Sequence, residues 1–202
     1  MARESKADVD RPIEAVLAAV AELADSWAAD RPSRQSRRHL DPADFQAIAD
    51  SGFLRTVVPV EHGGLWADTA TSARPVIGLL RTLAQGDPSV ALVAAMHPAV
   101  VSFWLMSETA STEPSPGSAA AWTAQRAAVF ATAMAGHQWG TITSEPGSGG
   151  DIARTRSVAV AVDDSDAGAT TGAGATTELE GAVYRISGDK HFGSGSGISS
   201  FM

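Results

Sequence analysis

There is no cysteine in this chain. That excludes a disulfide scaffold, cysteine-ligated zinc, iron–sulfur clusters and thiol catalysis together. Basic residues are also scarce. Fifteen Lys and Arg stand against 23 Asp and Glu, for a net charge of −8. A binder of the phosphate backbone usually carries a basic excess, so no nucleic-acid partner is expected. Long hydrophobic runs are missing too. The longest, Val90 to Val101, is broken by His97 and Pro98 and falls short of the ~18 residues of a membrane span, so no membrane partner is expected. The first residues carry Arg3, Glu4, Lys6, Asp8 and Asp10 and leave no apolar core for a signal peptide, which favours a cytoplasmic location. His39, His62, His97, His137 and His191 show no metal-ligand spacing, so no metal site is expected.

What remains is ordinary for a globular protein. The 202 residues are 44% hydrophobic and 19% charged, enough for one to two domains with a real core and too apolar for wholesale disorder. Alanine is heavy at 38 residues, a bias toward helix.

The first segment reads as a helix, with Pro12 in its first turn and Ile13, Val16, Leu17, Val20 and Leu23 on one face. Asp30 to Asp41 is polar, carries Arg31, Arg34, Arg37 and Arg38, and reads as a solvated loop; charge over residues 1–40 still balances. A second helix is expected from Asp41 as N-cap and Pro42 as first residue, with Phe45, Ile48 and Ala49 inward and Gly52 as the stop. An apolar run from Phe53 ends at Pro59, and Glu61-His62-Gly63-Gly64 makes a turn. Val76 to Leu83 suits a helix stopped at Gly86, and Asp87-Pro88 starts another. Residues 109–118 read as a loop, and Ala119 to Ala135 as a helix anchored by Trp122, Val129 and Phe130.

After Gly136 the character changes. Trp139 to Thr143 is strand-like, and Ser157 to Val162 and Ala182 to Ser187 alternate with period two. Asp163 to Thr177 between them is a low-complexity loop, and Ile198 to Met202 is a last predicted strand. Helices followed by strands argue an α+β fold, with a helical domain over 1–137 and a β domain over 138–202. That β part is small for its length, and the chain reads as stopping inside a domain.

Two glycine-rich stretches are candidates for chemistry. Thr141 to Asp151 runs a strand into a turn where a flat or anionic ligand can approach the backbone, although an ordinary tight turn has the same composition. It is neither a Walker A loop nor a dinucleotide fingerprint. Gly188 to Gly197 could set Phe192 against a planar ring and Ser194 at its edge, or could be a hairpin with Phe192 in the core. Glu145, next to Pro146, reads as an organiser of the turn rather than a base. His97 reads as a helix-end histidine.

Three stretches together resemble the acyl-CoA dehydrogenase family of FAD-dependent flavoproteins. Gly52-Phe-Leu-Arg-Thr-Val-Val-Pro-Val-Glu-His-Gly-Gly64 is similar to that family's G-x-x-x-x-x-x-P-x-x-x-G-G. Ile142-Thr-Ser-Glu-Pro-Gly-Ser-Gly-Gly-Asp151 is similar to its T-E-P-x-x-G-S-D. Tyr184-Arg-Ile-Ser-Gly-Asp-Lys-His-Phe-Gly-Ser194 is similar to its Y-x-L-N-G-x-K-x-[WF]-[IV]-[TS]. The resemblance implies an N-terminal helical domain, the first part of a β-barrel middle domain and an absent C-terminal four-helix bundle. It assigns Thr141, Thr143, Ser144, Gly149, Gly150, Phe192 and Ser194 to the flavin side. The family's base is a glutamate of the bundle, so it assigns no catalytic residue in this chain.

The implied activity is α,β-dehydrogenation of an acyl-CoA thioester with FAD, an electron-accepting flavoprotein as a further partner, and a homo-oligomer if full-length. In that setting Leu92 and Met96 would line part of the acyl pocket. Two alternatives stand beside it. One is a flavin monooxygenase of the same fold, using FAD or FMN, with His97 and Ser194 as hydrogen-bond donors. The other is a truncated fragment with no catalysis of its own.

Overall fold

The computed structural model describes residues 13–106, 118–147, 151–162 and 183–202. The chain forms two compact units, Met1–Thr141 with Ser194–Met202, and Ile142–Gly193. Most described residues are helical, and one small antiparallel sheet joins them in a broadly α+β architecture.

In the larger unit, helix α1 (Ile13–Ala29) buries Val16, Val20, Ala24 and Trp27, a stripe at spacings of four, four and three. Leu17 lies off that stripe and is exposed. The stripe packs on α4 (Thr69–Gly86), whose Val76, Leu79 and Leu83 face inward. The two helices approach tightly at Gly86, where an added Cβ would sit 2.7 Å from the carbonyl oxygen of Ala24. Helix α4 starts seven residues before the expected Val76, with Pro75 inside it. The cap explains the early start: Asp68 accepts from the Thr71 amide at 2.8 Å and satisfies the first turn.

The expected solvated loop after α1 is a helix instead, α2 (Arg31–Ser36), with Pro32 in its first turn. Its Arg34 is buried. Nη1 and Nη2 donate to the two oxygens of Asp44 at 2.9 and 2.8 Å, and Nε donates to Asp87 at 2.9 Å. The guanidinium also lies over the Trp27 ring, 4.5 Å from its centroid. A guanidinium supplied with two carboxylates and an aromatic face can leave water, which its neighbours in sequence cannot reveal.

Helix α3 (Pro42–Asp50) forms as expected, with the Asp41 side chain accepting from the Ala43 amide at 3.0 Å and Phe45 and Ile48 buried. Gly52 takes a left-handed φ of 85°, and the chain turns into a buried 3₁₀ helix, Phe53–Val57. The chain then doubles back. Trp66 donates its amide to the Val58 carbonyl at 2.9 Å and accepts from the Val60 amide at 3.1 Å.

Helices α5 (Pro88–Ala94), α6 (Met96–Met106) and α7 (Ser118–Met134) complete the unit. The window Pro88–Leu105 is long and apolar enough to cross a membrane by length and composition, with mean hydropathy 1.5. Here it is two helices meeting at Ala95, with Val90, Val93, Ala94 and Val101 in the core. Val57, Val58, Val101 and Phe130 form a second cluster with Trp66, Trp104 and Trp139 packed on it. Of the loop expected over 109–118, residues up to 117 lie outside the described ones; α7 begins at Ser118.

His97 is fully buried, and it is not bonded to its own helix end as expected. Nε2 lies 3.0 Å from the Leu54 carbonyl, and Nδ1 accepts from the Trp139 amide at 3.2 Å. One nitrogen donates and the other accepts, so the ring is the neutral tautomer with both positions used.

The end of the chain also differs from expectation. Ile198–Met202 forms no strand: a turn at Gly195–Ile198 is followed by a single parallel bridge between Trp139 and Phe201. The two rings stack with centroids 4.8 Å apart. Ring packing and the bond from the Gly140 amide to the Phe201 carbonyl, 2.8 Å, hold this segment without a ladder.

The smaller unit contains β1 (Val158–Val162) and β2 (Val183–Ser187), paired antiparallel with Val158 opposite Ser187 and Val162 opposite Val183. The expected low-complexity loop 163–177 lies outside the described residues. Val158, Val160, Tyr184 and Ile186 are exposed, so apolar side chains stand on both faces of the pair.

Two outcomes follow. Gly86→Ala forces α1 and α4 apart and lowers stability by about 1–3 kcal/mol, read from chemical denaturation at constant m-value. Burial pushes His97 down to about 4, against a smaller rise from the Leu54 carbonyl, whereas the ordinary value is 6.5. Below pH 6.5 the unfolded chain therefore takes a proton that the folded chain refuses. Stability falls as pH drops from 6.5 toward 4, by about 3 kcal/mol in all. His97→Gln keeps a donor and an acceptor but does not titrate, so its denaturation midpoint shows a shallower acid dependence over that window.

Candidate functional site

The smaller unit is organised around one carboxylate. Glu145 is buried, and its Oε1 accepts from Lys190 Nζ at 2.5 Å, from Ser157 Oγ at 2.6 Å, from the Ser157 amide at 3.1 Å and from the Thr155 hydroxyl. Oε2 accepts from the Arg156 amide at 2.5 Å. The Lys190 ammonium, then the Ser157 and Thr155 hydroxyls and the Arg156 amide, hold this carboxyl well below the usual carboxylate range. A carboxylate so supplied with donors fixes the turn at Pro146 and has no appetite for a substrate proton.

The backbone repeats the same tie. Ser144 pairs antiparallel with His191, whose amide donates to the Ser144 carbonyl at 2.9 Å. The strand expected over Trp139 to Thr143 does not form: Trp139, Thr141 and Ser144 make only isolated bridges. The segment that enters the Glu145-Pro146 turn still lies beside Asp189-Lys190-His191, with Lys190 45 residues from Glu145 along the chain.

Next to this tie stands Phe192. Its backbone takes φ = 55°, unusual for a residue with a Cβ, and its ring is 88% exposed. The His191 ring lies 5.8 Å away, tilted. An aromatic side chain held in a strained backbone and left in water is not a core residue, which removes the hairpin-core alternative for this position. Thr143 is exposed and Ser144 half-buried.

The remaining sequence-derived positions fall elsewhere. Thr141 and Ser194 belong to the larger unit, where they form an antiparallel bridge with each other. The Thr141 hydroxyl is directed at the Met96 sulfur, 3.2 Å away, while Ser194 is half-buried. Gly149 and Gly150 lie outside the described residues. Leu92, expected against an acyl chain, is exposed, and Met96 is half-buried.

No family model, curated protein or solved structure matches this chain. The site therefore rests on its own geometry. Among the described residues no group of three or more His, Asp or Glu side chains converges as metal ligands would.

Thr155, Ser157 and Lys190 are the residues that sequence reasoning missed. Lys190 carried a signal, as the lysine of the G-x-K stretch. The two hydroxyls carried none, because nothing in the residues just before β1 announces a carboxylate across the turn.

Glu145→Gln keeps the shape and removes the charge. Lys190 then has no anion, and amide hydrogen exchange at Arg156, Ser157 and His191 speeds up by about tenfold or more, with helix α4 unaffected. Acid acts the same way. The folded carboxyl titrates below the unfolded one, so this stabilisation is complete above about pH 4.5 and is lost as pH falls.

Proposed function

We propose that this chain is the flavin-side portion of an acyl-CoA dehydrogenase-like oxidoreductase. In that reading the larger unit contains the N-terminal helical domain and the β1–β2 pair belongs to a β-barrel middle domain. The observation that carries it is the meeting of two motifs. The Ser144-Glu145-Pro146 turn and the Asp189-Lys190-His191-Phe192 stretch, far apart in sequence, are bonded through Glu145–Lys190 and Ser144–His191. Two stretches that the resemblance assigns to one cofactor are thus joined by local chemistry.

The residues present suit a flat, polar-edged group. Phe192 offers an uncovered ring face, and Thr143 offers an exposed hydroxyl. By resemblance Thr143, Ser144 and Phe192 would hold FAD, with Thr141 and Ser194 carrying the same assignment in the larger unit. When bound, FAD supplies a hydride acceptor for the β-carbon of a thioester. Hydroxyl and amide donors near the thioester oxygen would stabilise the charge that develops there. Neither Glu145 nor His97 is suited to take the α-proton: Glu145 is held ionised by its donors, and His97 has both nitrogens engaged. By resemblance the base would be a glutamate of the C-terminal bundle.

Apolar side chains on both faces of the two-stranded sheet support a larger β layer, because a lone pair of strands is marginal in water. The partners in this reading are an acyl-CoA substrate, an electron-accepting flavoprotein and further copies of the chain. No observation favours the monooxygenase, since His97 has no hydrogen-bonding position free to serve as its donor.

Titration of the chain with FAD, followed by flavin fluorescence, tests the proposal. Saturable quenching that Phe192→Ala weakens by about tenfold is the expected result. Unquenched fluorescence at high protein concentration removes flavin binding from this chain.

A further inference from the structure

The arginine run has a second face. Arg31, Arg34, Arg37 and Arg38 line a cavity of about 370 Å³ in the larger unit, between α2, the start of α3 and the α4–α5 junction. In a chain of net charge −8, four guanidinium groups within eight residues are a local inversion of sign. We propose that this cavity binds the phosphate group of a small organic phosphate.

The charges in the cavity do not cancel. Asp44 and Asp87 are the carboxylates of the lining. Both are already taken by Arg34, and Asp44 also accepts from Arg37 Nη1 at 3.1 Å. The other oxygen of Asp87 caps α5, accepting from the Ser89 and Val90 amides at 3.0 and 3.2 Å. Arg31 donates to the neutral carbonyl of Gln85 at 2.5 Å. Arg38 has no ion-pair or hydrogen-bond partner among the described residues. Four cations face two anions, which leaves two positive charges in a concave site, with His39 on the same wall.

The arrangement is also rigid where rigidity helps. Arg34 is fixed by two carboxylates and the Trp27 ring, so it forms a floor and not a mobile donor. Arg31 and Arg38 keep planar forks that match phosphate oxygens two at a time. Leu40, Pro88 and Val90 supply an apolar wall for the organic body. The volume falls within the range of small-molecule pockets. The proposal is independent of the flavin reading, because it uses other residues.

Calorimetric titration with ADP, inorganic pyrophosphate and adenosine tests it at low and high salt. ADP and pyrophosphate are expected to bind and adenosine not, with affinity falling as salt rises. The double variant Arg31→Gln, Arg38→Gln is expected to weaken both ligands at least about tenfold with only a small fall in the unfolding midpoint, since it gives up one exposed bond, from Arg31 to the Gln85 carbonyl, and neither side chain holds a carboxylate. ADP binding tighter than pyrophosphate assigns the apolar wall to the organic body. Equal affinities overturn that part and leave a phosphate site alone. Adenosine binding as well as ADP, an unaltered affinity in the double variant, or no heat from either anion at millimolar concentration overturns the proposal.

Discussion

A charged or polar group taken out of water must be paired, and in this chain that requirement ties together segments that are distant in sequence. Arg34 of α2 reaches Asp44 at the start of α3 and Asp87 between α4 and α5. His97 of α6 links the Leu54 carbonyl of the 3₁₀ helix to the Trp139 amide beyond α7. Glu145 gathers Thr155, Arg156, Ser157 and Lys190. Apolar burial supplies the bulk of the driving force, but it is non-directional. These pairs add the directional constraints that apolar burial lacks.

The same constraint separates structural from functional candidates. A side chain with every hydrogen-bonding position engaged has little left for a ligand. On that ground Glu145 and His97 are structural, despite being the kinds of residue that catalyse reactions elsewhere. Phe192 is the opposite case. It is apolar, exposed and set in a left-handed backbone, a combination that folding alone does not favour. That contrast adds to the flavin proposal, which rests on the meeting of the two motifs.

Much of the helical fold was legible in sequence, because its signals are local. Asp41-Pro42 and Asp87-Pro88 were read as helix starts, and both aspartates cap their helices through the side chain. Gly52 was read as a stop, and its φ is positive. The two alternating strands were read as strands and pair with each other. The failures are non-local. Arg34 looked solvated because its carboxylates lie ten and 53 residues away. Ile198 to Met202 has the composition of a strand but stacks on Trp139 and bridges it at one position only. In the candidate site, the glycine-rich stretches and Phe192 stood out by composition, whereas the hydroxyls around Glu145 did not.

By itself, then, the sequence determined what depends on neighbours along the chain: helix caps, the stop at Gly52, strand alternation, and the absence of thiol chemistry. Tertiary structure alone decided which charges are buried, which aromatic is left in water, and that the arginine segment closes on a cavity. The physical reason is range. Capping and backbone φ are settled within a few residues. Desolvation and ion pairing depend on groups that only folding brings together.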